Sequence, residues 1–453
     1  MRKSIKITLW TLLGLFVCFA GFVIYMFIFW GIGREKLHGA ISPIPETQNA
    51  IPPITNGMSD WTRWRGPALN GKSATTGIRL DWSGGLRKRW EADFLSQGNR
   101  SISWSSPAVK GNRIIVPGRT DAEDLVFCLN ADTGALIWKA SYPAASESGH
   151  GTGARATPCI DGDRVYTYGR VGDLACWALL DGKPVWRKSV LDYGGDTLFW
   201  GHSSSPFVMD SIVVVQAGKD AAVIAFNKMT GDIVWKSKPG PASYASFNIM
   251  DYGGKPALLA LIGSGLILLN PADGTEYASM EWMSALTDNI TTPAIENDIA
   301  FITTGDGMGC GAARINDKTG IQLLWKNTAI SSQQSDPVII DGFVYGYSGM
   351  SNQNKGDFVC LELVTGKEQW RTNEIGWGTV LYVDGHLLCM DIKGNLYLVK
   401  PDPSRFIKVT AMPSALGDIR NTAWTIPVVA NGTLYLRYMQ RLVAYELTAE
   451  QTH

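Results

Sequence analysis

From about residue 100 to residue 447 the chain alternates short apolar runs with turn residues. Runs such as RIIVPG, RVYTYG and SIVVVQ are bounded by Gly, Asp or Asn. Short alternating runs with such boundaries are typical of antiparallel strands joined by tight turns. Amphipathic stretches with a helical period are scarce after residue 60, so the pattern predicts an all-β protein.

A longer pattern returns about every 47 residues. In each copy a Gly-containing turn is followed within a few residues by Trp, as in DTGALIW, LDGKPVW and MTGDIVW. Upstream of the turn, a small polar residue, often followed by Pro, precedes an apolar run, as in SSPAVKGNRIIV and ATPCIDGDRVYT. We expect four antiparallel strands in each copy, and this repeat predicts the blades of a β-propeller.

Seven tryptophans mark the repeat at spacings of 43–49 residues, and we expect each to pack between neighbouring blades: Trp90, Trp138, Trp186, Trp235, Trp282, Trp325 and Trp370. The last repeat, residues 424–447, has enough chain for only three strands. Residues 85–93 supply the missing strand, which closes the ring and removes its open sheet edges. This predicts eight blades, with seven left open because the repeat at 378–412 lacks its tryptophan.

The N-terminal residues differ from the repeat. Residues 1–6 are basic, and residues 7–31 carry no charge. This uncharged run is longer than the roughly 20 residues that a membrane-spanning helix needs. The run is too long for a cleaved signal peptide, so we interpret residues 1–33 as a retained signal-anchor helix with a cytoplasmic N-terminus. The Pro-rich residues 34–60 are predicted to be an extended linker without helix or sheet, and residues 61–450 to be the propeller.

Composition removes several function classes. The chain has 41 basic and 41 acidic residues, so no net field attracts nucleic acid. Its seven cysteines have neither zinc-site nor redox-motif spacing. Cys128 and Cys360 occupy equivalent positions in two repeats, and we expect them to be small buried strand residues. Disulfides between remote cysteines are left open.

The motif in LNADTGALIW resembles the repeat of the pyrroloquinoline quinone (PQQ)-like propeller family, which includes quinoprotein alcohol dehydrogenases and BamB, a lipoprotein of the outer-membrane barrel assembly machinery. The resemblance covers residues 61–447. WTRWRGPALNGKS, at 61–73, is similar to a segment found in bacterial PQQ-like propellers. Together with the anchor predicted from residues 1–33, the likeness implies a bacterial protein in the inner membrane, with a single span at 7–31 and its propeller facing the periplasm. It specifies the fold far better than the activity.

The resemblance also raises the cofactor question. PQQ dehydrogenases of this family typically hold Ca²⁺ through carboxylate and amide oxygens, use an Asp base, and bind the quinone carboxylates with cations. Many also have two adjacent cysteines. This sequence has no Cys-Cys pair and no acidic cluster of the kind that binds a hard cation. We therefore expect no cofactor and assign no catalytic residue, with PQQ and calcium kept as an alternative.

In a propeller the first strand of each blade lines the central channel, and the loops before these strands form its mouth. The candidate residues at the mouth are Trp104, His150, Arg155, His202, Asn248, Asn289, Gln333, Gln334, Trp377, Arg420 and Trp424. One interpretation is a pocket for an anionic or polar small molecule, in which the cations donate hydrogen bonds and tryptophans stack. The other is that these side chains fill a water-lined funnel. Two histidines without a third ligand do not make a metal motif.

Three functions remain open on the sequence. The first is a non-enzymatic scaffold that binds protein partners in the cell envelope, since no nucleophile and base are brought together by any motif. The second is a quinoprotein oxidoreductase or PQQ carrier. The third is an ectodomain that senses a small molecule, peptide or polysaccharide.

Overall fold

The computed structural model describes residues 42–44, 51–98, 101–144, 151–284, 287–350, 355–420 and 422–449. The predicted membrane span at 7–31 and the candidate residue His150 lie outside these ranges. Within them, no helix is both long and apolar enough to cross a bilayer. The anchor therefore stays a prediction.

Each of the first four blades is built on four antiparallel strands in chain order, from the channel outward. Blade 1 consists of Ala108–Lys110, Arg113–Arg119, Glu123–Asn130 and Leu136–Pro143, and blade 2 of Cys159–Asp161, Arg164–Tyr168, Asp173–Ala178 and Pro184–Ser189. Blade 3 consists of Phe207–Met209, Ile212–Gly218, Ala221–Asn227 and Ile233–Lys236, and blade 4 of Asn248–Asp251, Pro256–Ile262, Gly265–Leu269 and Glu276–Glu281. A single 3₁₀ turn, Val190–Tyr193, follows blade 2.

The remaining blades repeat this plan. Blade 5 consists of Ala294–Glu296, Ile299–Thr304, Gly309–Asn316 and Gly320–Asn327, and blade 6 of Val338–Ile340, Phe343–Met350, Lys355–Glu362 and Glu368–Thr372. Blade 7 consists of Gly378–Val383, His386–Asp391, Leu396–Lys400 and Ile407–Met412, and blade 8 of Val428–Ala430, Thr433–Tyr438, Arg441–Glu446 and Lys88–Ala92. The strand Lys88–Ala92 pairs antiparallel with Arg441–Glu446, so the N-terminal strand closes blade 8. Eight blades are confirmed.

Two blades carry a fifth strand that the sequence pattern did not predict. Ser42–Ile44 pairs antiparallel with the outer strand of blade 1, opposite Lys139 to Ser141. Lys72–Ser73 pairs parallel with the inner strand of blade 7. Pro43 therefore does not keep the segment 34–60 out of a sheet, because an edge strand tolerates a residue without an N–H.

The hydrophobic core is divided among the interfaces between blades. Eight apolar clusters exist in the described residues, and each combines side chains of two neighbouring blades. The repeat tryptophans lie at these interfaces. Six of them donate an indole N–H bond of 2.8–3.0 Å to a backbone carbonyl of the next blade: Trp90, Trp138, Trp186, Trp235, Trp325 and Trp370. Trp282 donates instead to Thr304 Oγ1 of blade 5.

The turn glycine of the repeat has two reasons to be glycine. Gly182 has a φ of +70°, and a Cβ there would lie 2.5 Å from the ring of Trp138 in the preceding blade. Gly134 stands in the same relation to Trp90, with a φ of +71°. The left-handed backbone and the close approach of the indole both exclude a side chain. The Gly and the Trp of the motif thus belong to one blade-to-blade contact.

Each blade also has a β-bulge in its outer strand. In six blades the bulged residue directly precedes the repeat tryptophan. The bulged residues are Arg89, Ile137, Val185, Val234, Tyr277, Leu324, Gln369 and Val409. A bulge leaves one residue out of the ladder and redirects its side chain.

One end of the channel is crossed by residues 61–73, which we call the crossing segment. It makes a hydrogen bond to each of the eight blades. The partners, from blade 1 to blade 8, are Val109, Ile160, Val208, Asn248, Thr292, Pro337, Tyr382 and Val429. The crossing segment therefore ties all blades to one another.

Candidate functional site

A cavity of about 380 Å³ lies in the channel on the side of the strand-initiating loops. It is lined by Trp64, Trp104, Arg155, Trp200, Ser203, Ser205, Tyr244, Ser246, Asp288, Ile290, Thr292, Asp306, Gln333, Gln334, Asp336 and Trp424. Apart from Trp64, these residues come from the loops before the first strands of blades 1 to 6 and blade 8, and from the blade 5 turn that carries Asp306. Its size falls within the roughly 300–1,000 Å³ that is common for small-molecule sites.

Trp64 of the crossing segment forms the floor of the cavity. Its indole N–H lies 2.9 Å from Thr292 Oγ1 and 3.1 Å from Asp336 Oδ2. Asp336 is also 3.3 Å from the guanidinium of Arg65, and both side chains of this ion pair are buried. Burial raises the pKa of Asp336 above its usual value, while Arg65 and the amide of Thr292 oppose that shift. The floor is thus held by a buried polar network whose members are paired.

A chain of hydrogen bonds runs around the wall above this floor. The amide of Ser205 donates to Ser246 Oγ over 2.9 Å, the amide of Ser246 donates to Thr292 Oγ1 over 3.3 Å, and the amide of Thr292 donates to Asp336 Oδ1 over 2.9 Å. These residues hold the same place in consecutive blades. The small polar residue of the upstream signature therefore accepts a bond from the preceding blade.

Aromatic side chains make up much of the wall. The rings of Trp104 and Trp424 lie 4.7 Å apart between centroids, at an angle of 46°. Trp200 packs edge-on against Phe199, and its amide donates to the hydroxyl of Tyr244 over 3.3 Å. Flat apolar faces therefore border the cavity on more than one side.

The charges of the cavity lie on different blades. Arg155 of blade 2 donates to the carbonyls of Gly153 and Gly151 over 3.2 and 3.3 Å. Burial, with repulsion from Arg170, lowers the pKa of Arg155 to about 9, so it stays cationic at neutral pH. Asp288, a buried residue just before blade 5, accepts a bond of 2.9 Å from Ser284 Oγ. Partial burial, followed by the charge of Asp288, raises the pKa of Asp306.

The structure brings five of the sequence candidates together at this cavity: Trp104, Arg155, Gln333, Gln334 and Trp424. Each lies four or five residues before the first strand of a blade, in the loops from which the sequence predicted the funnel. The aromatic and cationic character predicted for the mouth is therefore found at these positions. Their role toward a ligand stays a prediction.

Other candidates lie outside the cavity. His202 is buried, with Nδ1 3.0 Å from the Tyr168 hydroxyl and Nε2 3.0 Å from the Asp196 carbonyl. Asn289 is buried and bonds the carbonyls of Ile262 and Trp282.

Trp377, Asn248 and Arg420 are elsewhere as well. The Trp377 ring is fully buried and donates to the carbonyl of Gly349. Asn248 bonds Leu69 of the crossing segment. Arg420 lines a separate open groove beside Lys393. The loops carry these side chains into blade interfaces or onto the surface rather than into the channel.

Sequence reasoning missed several lining residues, above all Trp64, Trp200, Tyr244, Asp288 and Asp336. Asp336 had a usable signal, because it stands before Pro where the other repeats have Ser, Thr or Ile. Trp64 had none, since its place in the channel depends on the path of the crossing segment through the folded ring.

The lining does not fit a quinone cofactor with three carboxylates. Among the described residues, one cation, Arg155, lines the cavity together with three carboxylates, Asp288, Asp306 and Asp336, and the last is already paired with Arg65. The six cysteines in the described residues are buried and unbridged, and none lines the cavity. No group of three or more His, Cys, Asp or Glu side chains within the described ranges is arranged to hold a metal ion.

Comparison with solved structures gives the same fold. BamB from Moraxella catarrhalis superposes with a TM-score of 0.57 at 14% identity, over 80% of this chain and 100% of that chain. The quinohemoprotein alcohol dehydrogenase from Comamonas testosteroni superposes with a TM-score of 0.59 at 12% identity, over 85% of this chain and 80% of that chain. Identities this low show the propeller fold alone.

Sequence comparison favours BamB over the quinohemoprotein alcohol dehydrogenases. Tetrathionate hydrolase from Acidithiobacillus ferrooxidans is 26% identical over 155 residues, so the chain matches only 29% of that enzyme's length. BamB from Moranella endobia is 23% identical over 301 residues, which cover 61% of this chain and 69% of that protein. The family model described as outer membrane protein assembly factor BamB matches residues 122–372, more than half of the chain. The chain therefore belongs to this BamB family of PQQ-like repeat propellers.

Proposed function

We propose that this protein is a non-enzymatic scaffold that binds other proteins of the bacterial cell envelope through the outer edges of blades 2 and 3. The observation that carries the proposal is a set of exposed aliphatic side chains at matching positions of these two blades. Val185 and Val234 are the bulged residues of the two outer strands, and their side chains are 40% and 46% exposed. Leu180 and Met229, in the hairpin turns beside them, are 46% and 48% exposed.

Blade 1 shows what can cover this position. Its bulged residue, Ile137, is only 8% exposed and belongs to a cluster against which Ile51 and Ile54 pack. The segment that carries Ile51 and Ile54 is fixed by hydrogen bonds, including one of 3.0 Å from Asn112 Nδ2 to the carbonyl of Pro53. An apolar segment of the chain therefore packs on blade 1, and the same chemistry suits a partner on blades 2 and 3.

The shape of the sheet supports this mode of binding. The outer strands of blades 2 and 3 end their sheets in the described structure, whereas Ser42–Ile44 has added itself to the outer strand of blade 1. An outer strand offers backbone groups to an incoming strand, while exposed aliphatic side chains supply apolar area. The name of the Moranella endobia relative, an outer membrane protein assembly factor, supports a role in handling envelope proteins.

The proposal includes the place of the protein. Residues 7–31 form the inner-membrane anchor, and the propeller works on the periplasmic side. The uncharged run and the basic residues before it support this placement.

Substitution of the exposed valines tests the scaffold. We expect full-length protein with Val185→Glu and Val234→Glu to lose at least tenfold of the partner that co-purifies with the wild type, because two buried charges would face the interface. Val409→Glu is the matched control, since Val409 is the bulged residue of blade 7 and is 38% exposed. Equal recovery of the partner from all variants contradicts the proposal.

A further inference from the structure

We propose that the cavity at the mouth of the channel binds a neutral saccharide. The inference goes beyond the scaffold role, because the cavity lies in the channel and the exposed valines lie on the outer edges of the blades. It rests on the shape of the cavity, the faces of its aromatic rings and the distribution of its charges.

The aromatic residues offer the apolar part of such a site. Trp64 closes the floor and is fixed there by Thr292 and Asp336, so its orientation is set before a ligand arrives. Trp104 and Trp424 meet at one wall, and Trp200 and Tyr244 line another. The C–H faces of a pyranose ring are flat and weakly apolar, and they match indole faces that are already in place.

The charges disfavour ligands with a strong net charge. An anionic ligand meets Asp288 and Asp306 on the blade 5 side, and a cationic ligand meets Arg155 on the blade 2 side. A neutral ligand with many hydroxyl groups can bond to all three side chains at once.

The polar groups are arranged for hydroxyl recognition. The side chains of Gln333 and Gln334 line the cavity beside the carboxyl group of Asp288, and an amide carries both donors and acceptors for hydroxyl groups. Asp288 is held by Ser284. The Ser284 Oγ donates to the carboxylate of Asp288 and accepts from the backbone amide of Asp288 over 2.8 Å. The backbone of Gly305, next to Asp306, lies so close to Gln333 that a Cβ there would be 2.9 Å from the Gln333 Cβ. The blade 5 turn and the blade 6 loop are therefore packed as one wall.

Titration of the full-length protein in detergent with maltose, cellobiose and N,N′-diacetylchitobiose tests the inference, with tryptophan fluorescence and calorimetry as readouts. We expect at least one of these sugars to bind saturably. Asp288→Asn and Gln334→Ala should then weaken binding roughly tenfold and roughly fivefold, respectively. Gln322→Ala is the control for the amide, because Gln322 is exposed on the outer strand of blade 5 and lies outside the cavity.

Thermal unfolding of each variant separates loss of binding from loss of fold. Weaker binding by Gln334→Ala, at a melting temperature equal to that of Gln322→Ala, supports the site. The inference is overturned if none of the sugars binds, or if binding is unchanged by both cavity variants. It is also overturned if choline or PQQ, added as a cationic or an anionic competitor, occupies the cavity in place of the sugars.

Discussion

The backbone amide of Thr157 donates to the side-chain oxygen of Ser205 over 2.9 Å and joins blade 2 to blade 3 at the wall of the channel. The same relationship recurs from blade to blade until the chain of bonds reaches Asp336 of blade 6. Asp336 in turn bonds Trp64 and Arg65 of the crossing segment. The small polar residue before the first strand of a blade therefore connects neighbouring blades with one another, with the crossing segment and with the cavity wall.

This relationship predicts a specific loss of stability. Ser205→Ala leaves the buried amide of Thr157 without its acceptor, which costs roughly 1–3 kcal/mol of unfolding free energy. Ser211→Ala is the control, because Ser211 is exposed in the next turn of the same blade, and a change of less than about 0.5 kcal/mol is expected there. Urea denaturation measures both. Equal losses in the two variants would show that the bond around the channel contributes nothing.

The double role of the turn glycine predicts a second difference. Gly182→Ala and Gly162→Ala both place alanine at a positive φ, which costs roughly 1–2 kcal/mol. A Cβ at 182 also meets the ring of Trp138, whereas a Cβ at 162 meets nothing within 4 Å. We expect Gly182→Ala to lose about 2 kcal/mol more than Gly162→Ala in the same denaturation assay. A similar loss at both positions would mean that the indole moves aside without cost.

His202 predicts a dependence of stability on pH. Burial lowers its pKa from 6.5 to about 4, with Asp196 opposing and Arg170 supporting the shift. Nε2–H donates to the Asp196 carbonyl, and Nδ1 lies 3.0 Å from the Tyr168 hydroxyl, which itself donates to the Gln216 carbonyl. Below pH 6.5, His202 binds a proton in the unfolded chain but not in the folded chain. Stability therefore falls from pH 6.5 down to about 4 and then levels off.

Between pH 7 and pH 5 the contribution of His202 to unfolding free energy should fall by about 2 kcal/mol. His202→Gln removes the titrating group, so its loss of stability over this interval should be smaller than that of the wild type by the same amount. Chemical denaturation at the two pH values measures the difference. Identical losses in both proteins would show that His202 does not titrate in this range.

The charge of the cavity predicts the outcome with a quinone. PQQ and Ca²⁺ added to the full-length protein should produce neither a change in cofactor absorbance nor a rise in melting temperature. The carboxylates of PQQ would lie beside the carboxylates of Asp288 and Asp306 and be repelled by them. An apo quinohemoprotein alcohol dehydrogenase is the positive control. A saturable rise in the melting temperature of this protein would restore the quinoprotein hypothesis.

The repeat made the fold predictable, because every blade carries the same turn, strand and tryptophan. The closing strand could be inferred since Trp90 lies one repeat before Trp138 and the last repeat was one strand short. The added strand Ser42–Ile44 was missed because proline content argues against central strands but not against an edge. Local patterns thus predict the blades, and they do not predict what pairs with an outer edge.

The site was predicted less completely. Trp104 and Arg155 were found because the residue four positions before a first strand lines the cavity in blades 1 to 6 and blade 8. His202 lies one position earlier than this, next to the cavity-lining Ser203, and bonds Tyr168 in the interface between blades 2 and 3. Trp64 reaches the cavity through contacts more than 200 residues away in sequence, such as its bond to Thr292. Contacts of this range leave no local pattern.

The scaffold role is tested most directly by photo-cross-linking in the native membrane. A photoreactive phenylalanine replaces Val234 in the full-length chain, and Val409 in a matched control. The account predicts one discrete cross-linked protein product at position 234 and its absence at 409, with the product abolished by Val185→Glu in the same chain. Cross-linking of equal yield at both positions, or none at position 234, would contradict it.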